Sequence, residues 1–110
     1  HPLEAGSAWL DQHKLQNADA FWQVVDKYPQ VKAILCGHIH QELDRIHHGV
    51  RVLATPSTCI QFQPDSNDFA LDKLNPGWRY LELMGDGRVL TSISRLQGRC
   101  FTPQFDAGGY

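Results

Sequence analysis

The tetrapeptide at residues 37–40, Gly-His-Ile-His, has the clearest capacity for chemistry in this sequence. Neutral imidazole is a common ligand for zinc, iron, manganese and nickel. On an extended backbone, residues separated by one position project to similar sides, so His38 and His40 can face one site. The preceding Gly37 lets the backbone approach another group closely. The residues alone fit a metal site and a plain histidine pair in a surface loop equally well.

Two imidazoles do not complete a catalytic metal site, which usually has three or more protein ligands. A metal-binding histidine commonly donates its other ring nitrogen to a carboxylate. The carboxylates near enough in sequence for this role are those of Asp11, Glu42 and Asp44. The sequence does not choose among them.

The other histidines are given structural or solvent-exposed roles. His47 and His48 flank an expected turn, so we expect both to be solvated. For His13 a structural role is favoured over support of a ligand. We expect Trp9, Phe62 and Trp78 to be core residues rather than platforms for stacking a nucleotide base.

The histidine tetrapeptide follows a predicted helix and a predicted strand. Asn17 is a suitable helix N-cap, and Pro29 ends the helix because it lacks an amide hydrogen. Between them, one helical face is formed by Phe21, Val24, Val25 and Tyr28. The apolar residues 31–36 then predict a strand buried on both faces of an α/β sheet. The tetrapeptide would lie at the carboxyl end of that strand, where open α/β sheets bind ligands.

The rest of the chain is predicted to be rich in β-structure. Residues 43–46 and 51–55 predict a hairpin around His48 and Gly49, and residues 78–84 and 89–96 predict a second hairpin around residues 85–87. Residues 1–16 are expected to form a loop with a turn at residues 9–11. Residues 55–58 fit a strand-ending turn better than a nucleotide contact, and residues 98–110 are expected to be a loop.

Composition narrows the classes of function. The 110 residues carry a net charge of -2 and no basic patch, so we expect no nucleic-acid partner. No apolar run approaches the roughly 18 residues of a membrane span. The three cysteines match no disulfide framework, so we expect reduced thiols and a cytoplasmic protein. The chain begins at His1 rather than at a methionine, and we expect its native N-terminus to lie upstream.

Four segments, in order along nearly the whole chain, resemble the bacterial class III cyclic-AMP phosphodiesterases, a subgroup of the calcineurin-like metallophosphoesterases. The segments are HPLEAGSAWLDQHKLQNA, ILCGHIHQELD, LATPSTCIQFQP and PGWRYLEL. In that superfamily a Gly-His-x-His sequence at the end of a core strand is the last metal-binding motif, and residues 37–40 match it.

The resemblance implies an α/β fold in which residues 1–110 are the C-terminal portion of a single metallophosphoesterase domain, an αββα sandwich. This portion would supply one helix, one core strand and a β-rich remainder containing much of one sheet. The intact protein would be a hydrolase that converts 3′,5′-cyclic AMP to 5′-AMP at a dinuclear metal centre. His38 and His40 would each bind a different ion, and His40 would also reach the substrate phosphate. Imidazole does not discriminate among iron, manganese and zinc.

The chain lacks several motifs that belong to the family pattern. The Asp-x-His, Gly-Asp and Gly-Asn-His-Asp motifs are absent from the sequence. His1 resembles the last member of a histidine run whose leading residue is a family ligand, so we do not assign His1 to a metal. The remaining catalytic residues are therefore expected upstream of residue 1. This chain alone is expected to be inactive and to self-associate through apolar surface that the missing part would cover.

Two alternatives remain open. The intact protein could be another metallophosphodiesterase, for example one that hydrolyses a glycerophosphodiester. Alternatively, the chain could be a non-catalytic piece that acts as a weak metal binder or an assembly element.

Overall fold

The computed structural model describes residues 1–108, which form a mixed α/β fold with three small sheets, in agreement with the predicted class. Residues 109 and 110, the end of the predicted C-terminal loop, lie outside the described residues. The helices are α1 (Ala8–Asp11) and α2 (Ala18–Val25). The strands are β1 (Ala33–Cys36), β2 (Leu43–His47), β3 (Val50–Ala54), β4 (Gln61–Phe62), β5 (Leu71–Asp72), β6 (Gly77–Leu83) and β7 (Val89–Arg95).

The first sheet has the strand order β1-β3-β2. Strands β2 and β3 form the predicted hairpin, in which Leu43 pairs with Ala54 and His47 with Val50. The two turn residues, His48 and Gly49, have φ values of 49° and 79°. Positive φ at both central positions matches the twist of the flanking strands, which is why such a turn closes a tight hairpin.

Strand β1 is shorter than predicted and is covered on one face. It spans Ala33–Cys36 and pairs in parallel with β3, but none of its residues is fully buried in the described part of the chain. Ile34 and Cys36 pack against the core, whereas Leu35 on the opposite face is 51% exposed. Within residues 1–108, β1 is an edge strand covered on one face, and Leu35 is apolar surface of the kind expected where the missing part of the domain would pack.

Helix α2 begins and ends close to the predicted positions but presents a different face to the core. Trp22 and Val25 are buried, whereas Val24 is 54% and Tyr28 is 50% exposed. The inward residues 18, 21, 22 and 25 keep the i, i+3, i+4, i+7 spacing, three positions earlier than predicted. The indole Nε1 of Trp22 donates to the Pro2 carbonyl at 3.2 Å, which fixes this rotation. Asn17 makes no side-chain capping bond.

The core lies between the first sheet, α2 and the N-terminal segment. Leu10, on the single helical turn α1 that was expected to be only a turn, is fully buried, and Ile39 and Phe62 are each 1% exposed. Phe62 belongs to β4, which forms a two-stranded sheet with β5 that the sequence did not predict. The N-terminal segment is thus an integral part of the fold rather than a surface loop.

Strands β6 and β7 form the second predicted hairpin, with Gly87 at φ 86° in its turn. Arg79 ties this hairpin to the first sheet: its Nη2 donates to the carbonyls of Ala54 at 2.7 Å and Leu43 at 3.2 Å. In the described residues the hairpin forms a separate two-stranded sheet. No helix within residues 1–108 has the length and apolarity needed to cross a membrane.

Candidate metal site

The histidine tetrapeptide follows β1 directly, as predicted, but its backbone is not extended. His38 has φ 73° and His40 has φ 50°. The amide of Ile39 donates to the carbonyl of Gly37 at 2.9 Å, which makes a γ-turn centred on His38. A γ-turn with positive φ at its centre is rare and strained. The expected extended backbone is therefore wrong, and both candidate ligands occupy left-handed conformations.

The core holds this strained loop in place. Ile39, between the two histidines, is 1% exposed and belongs to the core cluster. Left-handed backbone at non-glycine residues costs about 1–3 kcal/mol each and persists only where the surroundings impose it; such residues concentrate at functional sites. Gly37 contributes no close approach within residues 1–108, because an added Cβ there would meet nothing within 4 Å.

His38 is solvent-exposed and lies beside two other histidines. Its ring centroid is 5.4 Å from that of His1, with the planes 20° apart, and 6.3 Å from that of His13 in an edge-on arrangement. Partial burial is the main cause that lowers the pKa of His38, and the positive charges of the terminal amino group, His13 and His40 add to it. The lowered pKa favours the neutral imidazole, which is the form that binds metals.

His1 is more firmly held than the sequence indicated. Its side chain is 2% exposed, and its Nε2 lies 3.3 Å from Oδ1 of Asp11. The Asp11 carboxylate also accepts the amides of Ala5 at 2.7 Å and Gly6 at 3.0 Å. The Nδ1 of His1 is buried without a hydrogen-bond partner among the described residues. The reason for leaving His1 unassigned came from a resemblance, and the sequence offered no signal that Asp11 would orient it.

His40 lies in a different environment from His38. Its ring stacks on Phe62, with centroids 4.2 Å apart and planes at 6°. Burial lowers the pKa of His40, and a backbone hydrogen bond with Ile60 opposes that effect. Its Nδ1 is buried and, in the part of the chain that the structure describes, has no hydrogen-bond partner. That nitrogen is available to an acceptor or metal that residues 1–108 do not provide.

None of the three candidate carboxylates forms a hydrogen bond with His38 or His40 in the described residues. Asp11 serves His1 instead. Asp44 accepts two bonds from Arg51, at 2.8 Å and 2.6 Å, and these bonds lower the pKa of its carboxyl. Glu42 is exposed.

His38 and His40 could supply part of the ligand set of a metal site, but they do not form a complete set by themselves. Within residues 1–108 there is no group of three or more histidine, cysteine, aspartate or glutamate side chains suited to hold an ion. His38 is open to solvent, and His40 has an unpartnered ring nitrogen. The loop can therefore lend imidazole nitrogens to a centre whose other ligands lie elsewhere.

His47 and His48 lie at the opposite end of the first sheet from the tetrapeptide. His48 is exposed as predicted, with Nδ1 3.0 Å from a carboxylate oxygen of Asp26. His47 is half-buried, and its ring centroid is 4.4 Å from that of Trp22, so the prediction that it is solvated is wrong. The reason is the rotation of α2, which turns Trp22 towards the end of β2.

Of the three aromatic residues predicted to lie in the core, two do so and one does not. Trp9 and Phe62 pack edge to face with ring centroids 5.0 Å apart, in agreement with the core roles predicted for them. Trp78 is 37% exposed on β6, so its prediction as a core residue is wrong. Residues 55–58 form a loop after β3, which Gln61 braces by donating to the Ser57 carbonyl at 2.8 Å and accepting the Ser57 amide at 3.0 Å.

Comparison with known proteins finds relatives that match all or most of the chain. The chain is 56% identical over all 110 residues to the 3′,5′-cyclic adenosine monophosphate phosphodiesterase CpdA of Vibrio vulnificus, and it covers 40% of that protein. It is 54% identical over 110 residues to CpdA of Escherichia coli K12, again covering 40%. It is 50% identical over 95 residues to a 3′,5′-cyclic-nucleotide phosphodiesterase of Nostoc. No family model matches the chain. The chain thus spans about two fifths of the length of the curated relatives it matches.

Proposed function

We propose that residues 1–110 are the C-terminal part of a single metallophosphoesterase domain in a bacterial class III cyclic-AMP phosphodiesterase. The observation that carries this proposal is the 56% identity over all 110 residues to a protein named for that activity. The intact protein would adopt the αββα sandwich of the superfamily. The exposed face of β1 at Leu35 is consistent with a partner layer supplied by the rest of the domain.

The proposed reaction is hydrolysis of 3′,5′-cyclic AMP to 5′-AMP. Water adds to phosphorus, the bond between phosphorus and the 3′ oxygen breaks, and that oxygen takes up a proton. Two bound metal ions, whether iron, manganese or zinc, would supply activation of water and stabilisation of the attacking and leaving oxygens. Nucleic acid and membranes are not among the proposed partners.

His38 and His40 are the residues of this chain that we assign to the metal ions, one to each. Two observations support the assignment: both residues hold strained left-handed backbone, and the ring of His40 carries a buried nitrogen without a partner among the described residues. His40 is also proposed to contact the substrate phosphate. The other ligands would come from the remainder of the domain.

The isolated chain is proposed to be inactive and to self-associate. It would leave each ion with one protein ligand, and it exposes large apolar side chains such as Leu35, Tyr80 and Leu83. A cytoplasmic location is proposed for the intact protein because Cys36, Cys59 and Cys100 are all free thiols.

The test is an assay of the purified full-length protein with 3′,5′-cyclic AMP and with a glycerophosphodiester, before and after removal of bound metal. We expect metal-dependent release of 5′-AMP and much weaker activity on the glycerophosphodiester. Preference for the glycerophosphodiester would favour the alternative metallophosphodiesterase instead.

A further inference from the structure

Phe62 forms a flat, buried surface beneath one of the two candidate ligands. The ring of His40 lies 4.2 Å above it and within 6° of parallel. Phe62 itself is 1% exposed, and its backbone is fixed on β4 by pairing with Leu71. The contact is long-range in sequence and joins the histidine loop to the small second sheet.

Among residues 1–108, two further aromatic residues pack against the Phe62 ring. Trp9 and Phe69 meet it edge to face, with ring centroids 5.0 Å and 5.7 Å away. Interlocked edge-to-face contacts of this kind resist rotation of the central ring, because the positive ring edge prefers the negative face of its neighbour. The plane of Phe62 is therefore set by the core and not by His40.

A stacked neighbour restricts the second side-chain torsion of His40, which is otherwise the broader of its two. The left-handed φ of 50° sets the direction in which the side chain leaves the main chain. The rotation of the ring about its last bond is otherwise broad, as for all aromatic side chains. A parallel surface at 4.2 Å leaves the two coplanar orientations and excludes those in between, so each ring nitrogen is restricted to one of two directions.

We infer that Phe62 is a positioning residue: by stacking, it holds the imidazole of His40 in the orientation in which His40 binds its metal ion. Trp9 and Phe69 brace Phe62 without touching His40 through a ring contact. The inference rests on the metal role proposed for His40. Pre-orientation matters because a metal site loses metal affinity and activity when the groups that orient its ligands are removed.

Three variants of the full-length protein separate stacking from ordinary core packing. Phe62→Leu keeps an apolar side chain but removes the flat surface. Phe62→Tyr keeps the surface but places a hydroxyl in a buried position, which lowers stability. Phe21→Leu removes a half-buried ring from α2, whose ring partner is Trp22 rather than Phe62, and leaves the stack on His40 intact. Phe62→Met replaces the leucine variant should that variant not fold, because methionine fills irregular space.

Two measurements follow each variant: the dissociation constant for Mn²⁺ by chelator competition, and the carbon-bound proton signals of the His40 ring in metal-free protein by NMR. We expect Phe62→Leu to weaken Mn²⁺ binding about tenfold or more and to shift the His40 ring signals as the ring current is lost. Phe62→Tyr and Phe21→Leu should retain wild-type affinity and signals while melting at lower temperature.

The inference would be overturned if Mn²⁺ affinity fell together with melting temperature in all three variants, with Phe21→Leu losing as much affinity as Phe62→Leu. Unchanged His40 ring signals in Phe62→Leu would also overturn it. The NMR measurement needs no turnover. A wild-type protein that binds Mn²⁺ in this way but does not hydrolyse cyclic AMP would therefore refute the proposed function and leave the inference standing.

Discussion

Phe62 stacks on His40 across 22 positions of sequence, with 4.2 Å between the ring centroids, whereas His38 lies beside His1 at 5.4 Å. Two histidines of one tetrapeptide are thus supported by different parts of the molecule. His40 depends on the aromatic core around β4, and His38 depends on the N-terminal segment. Ile39, which lies between the two histidines in sequence, is buried in the core.

Gly77, at the start of β6, is predicted to be intolerant of a side chain. A Cβ there would lie 3.0 Å from the Cβ of Pro56 and 3.1 Å from the carbonyl of Ser94. Because Pro56 is rigid and Ser94 contributes backbone, Gly77→Ala should lower the free energy of unfolding by about 1–3 kcal/mol. Denaturant unfolding of the full-length protein measures this. Gly85→Ala is the matched control, since nothing lies within 4 Å of its added Cβ; equal losses in both variants would contradict the packing argument.

Asp44 and Arg51 should make stability depend on pH in the acid range. The hydrogen bonds from Arg51 hold the pKa of Asp44 below its ordinary value. A lowered folded-state pKa means that the stabilisation is complete above the unfolded value, about 3.9, and is lost as pH falls through the folded value. The effect should be small, because the carboxylate is 42% exposed.

The measurement is the unfolding midpoint of the full-length protein and its Asp44→Asn variant, from neutral pH to the acid limit of folding. We expect the variant to be less stable at neutral pH and the difference to disappear in acid. Asp68→Asn, in the exposed loop between β4 and β5, is the control and should match wild type at neutral pH. A difference between Asp44→Asn and wild type that grows as pH falls would have the wrong sign for this ion pair.

The purified 110-residue chain is predicted not to hydrolyse cyclic AMP. It supplies two imidazoles and, within residues 1–108, no third side chain that completes a metal site. Errors of about an ångström in the placement of reacting groups can cost on the order of 100-fold in rate. The assay compares the chain with the full-length protein in added Mn²⁺ or Fe²⁺. Activity within about tenfold of the full-length protein, far above what misplaced groups allow, would mean that the chemistry is complete in this chain.

Local sequence signals predicted the elements that depend on local chemistry. Both hairpins were predicted because glycine marks their turns, and Gly49 and Gly87 do hold positive φ. The position of the histidine loop after a strand was also predicted, since Gly37 ends a short apolar run. These features are decided within a few residues of the chain.

Features that depend on distant partners were missed. The face of α2 follows from the bond between Trp22 and the Pro2 carbonyl, which no helical periodicity encodes. Strands β4 and β5 have two residues each, too few for an alternating pattern. The left-handed backbone of His38 and His40 is imposed by burial of Ile39, and the stack on Phe62 requires the tertiary fold.

The proposed metal role of His38 and His40 is tested most directly by the metal content and cyclic-AMP turnover of the full-length protein and its His38→Ala and His40→Ala variants. Loss of groups that only support metal ligands costs about 10–100-fold, so loss of a ligand should reduce turnover at least that much, with less than the wild-type amount of bound metal per protein by elemental analysis. His48→Asn is the control, because asparagine tolerates the left-handed φ of 49° at that exposed turn. Near-normal metal content and turnover in both alanine variants would contradict the account.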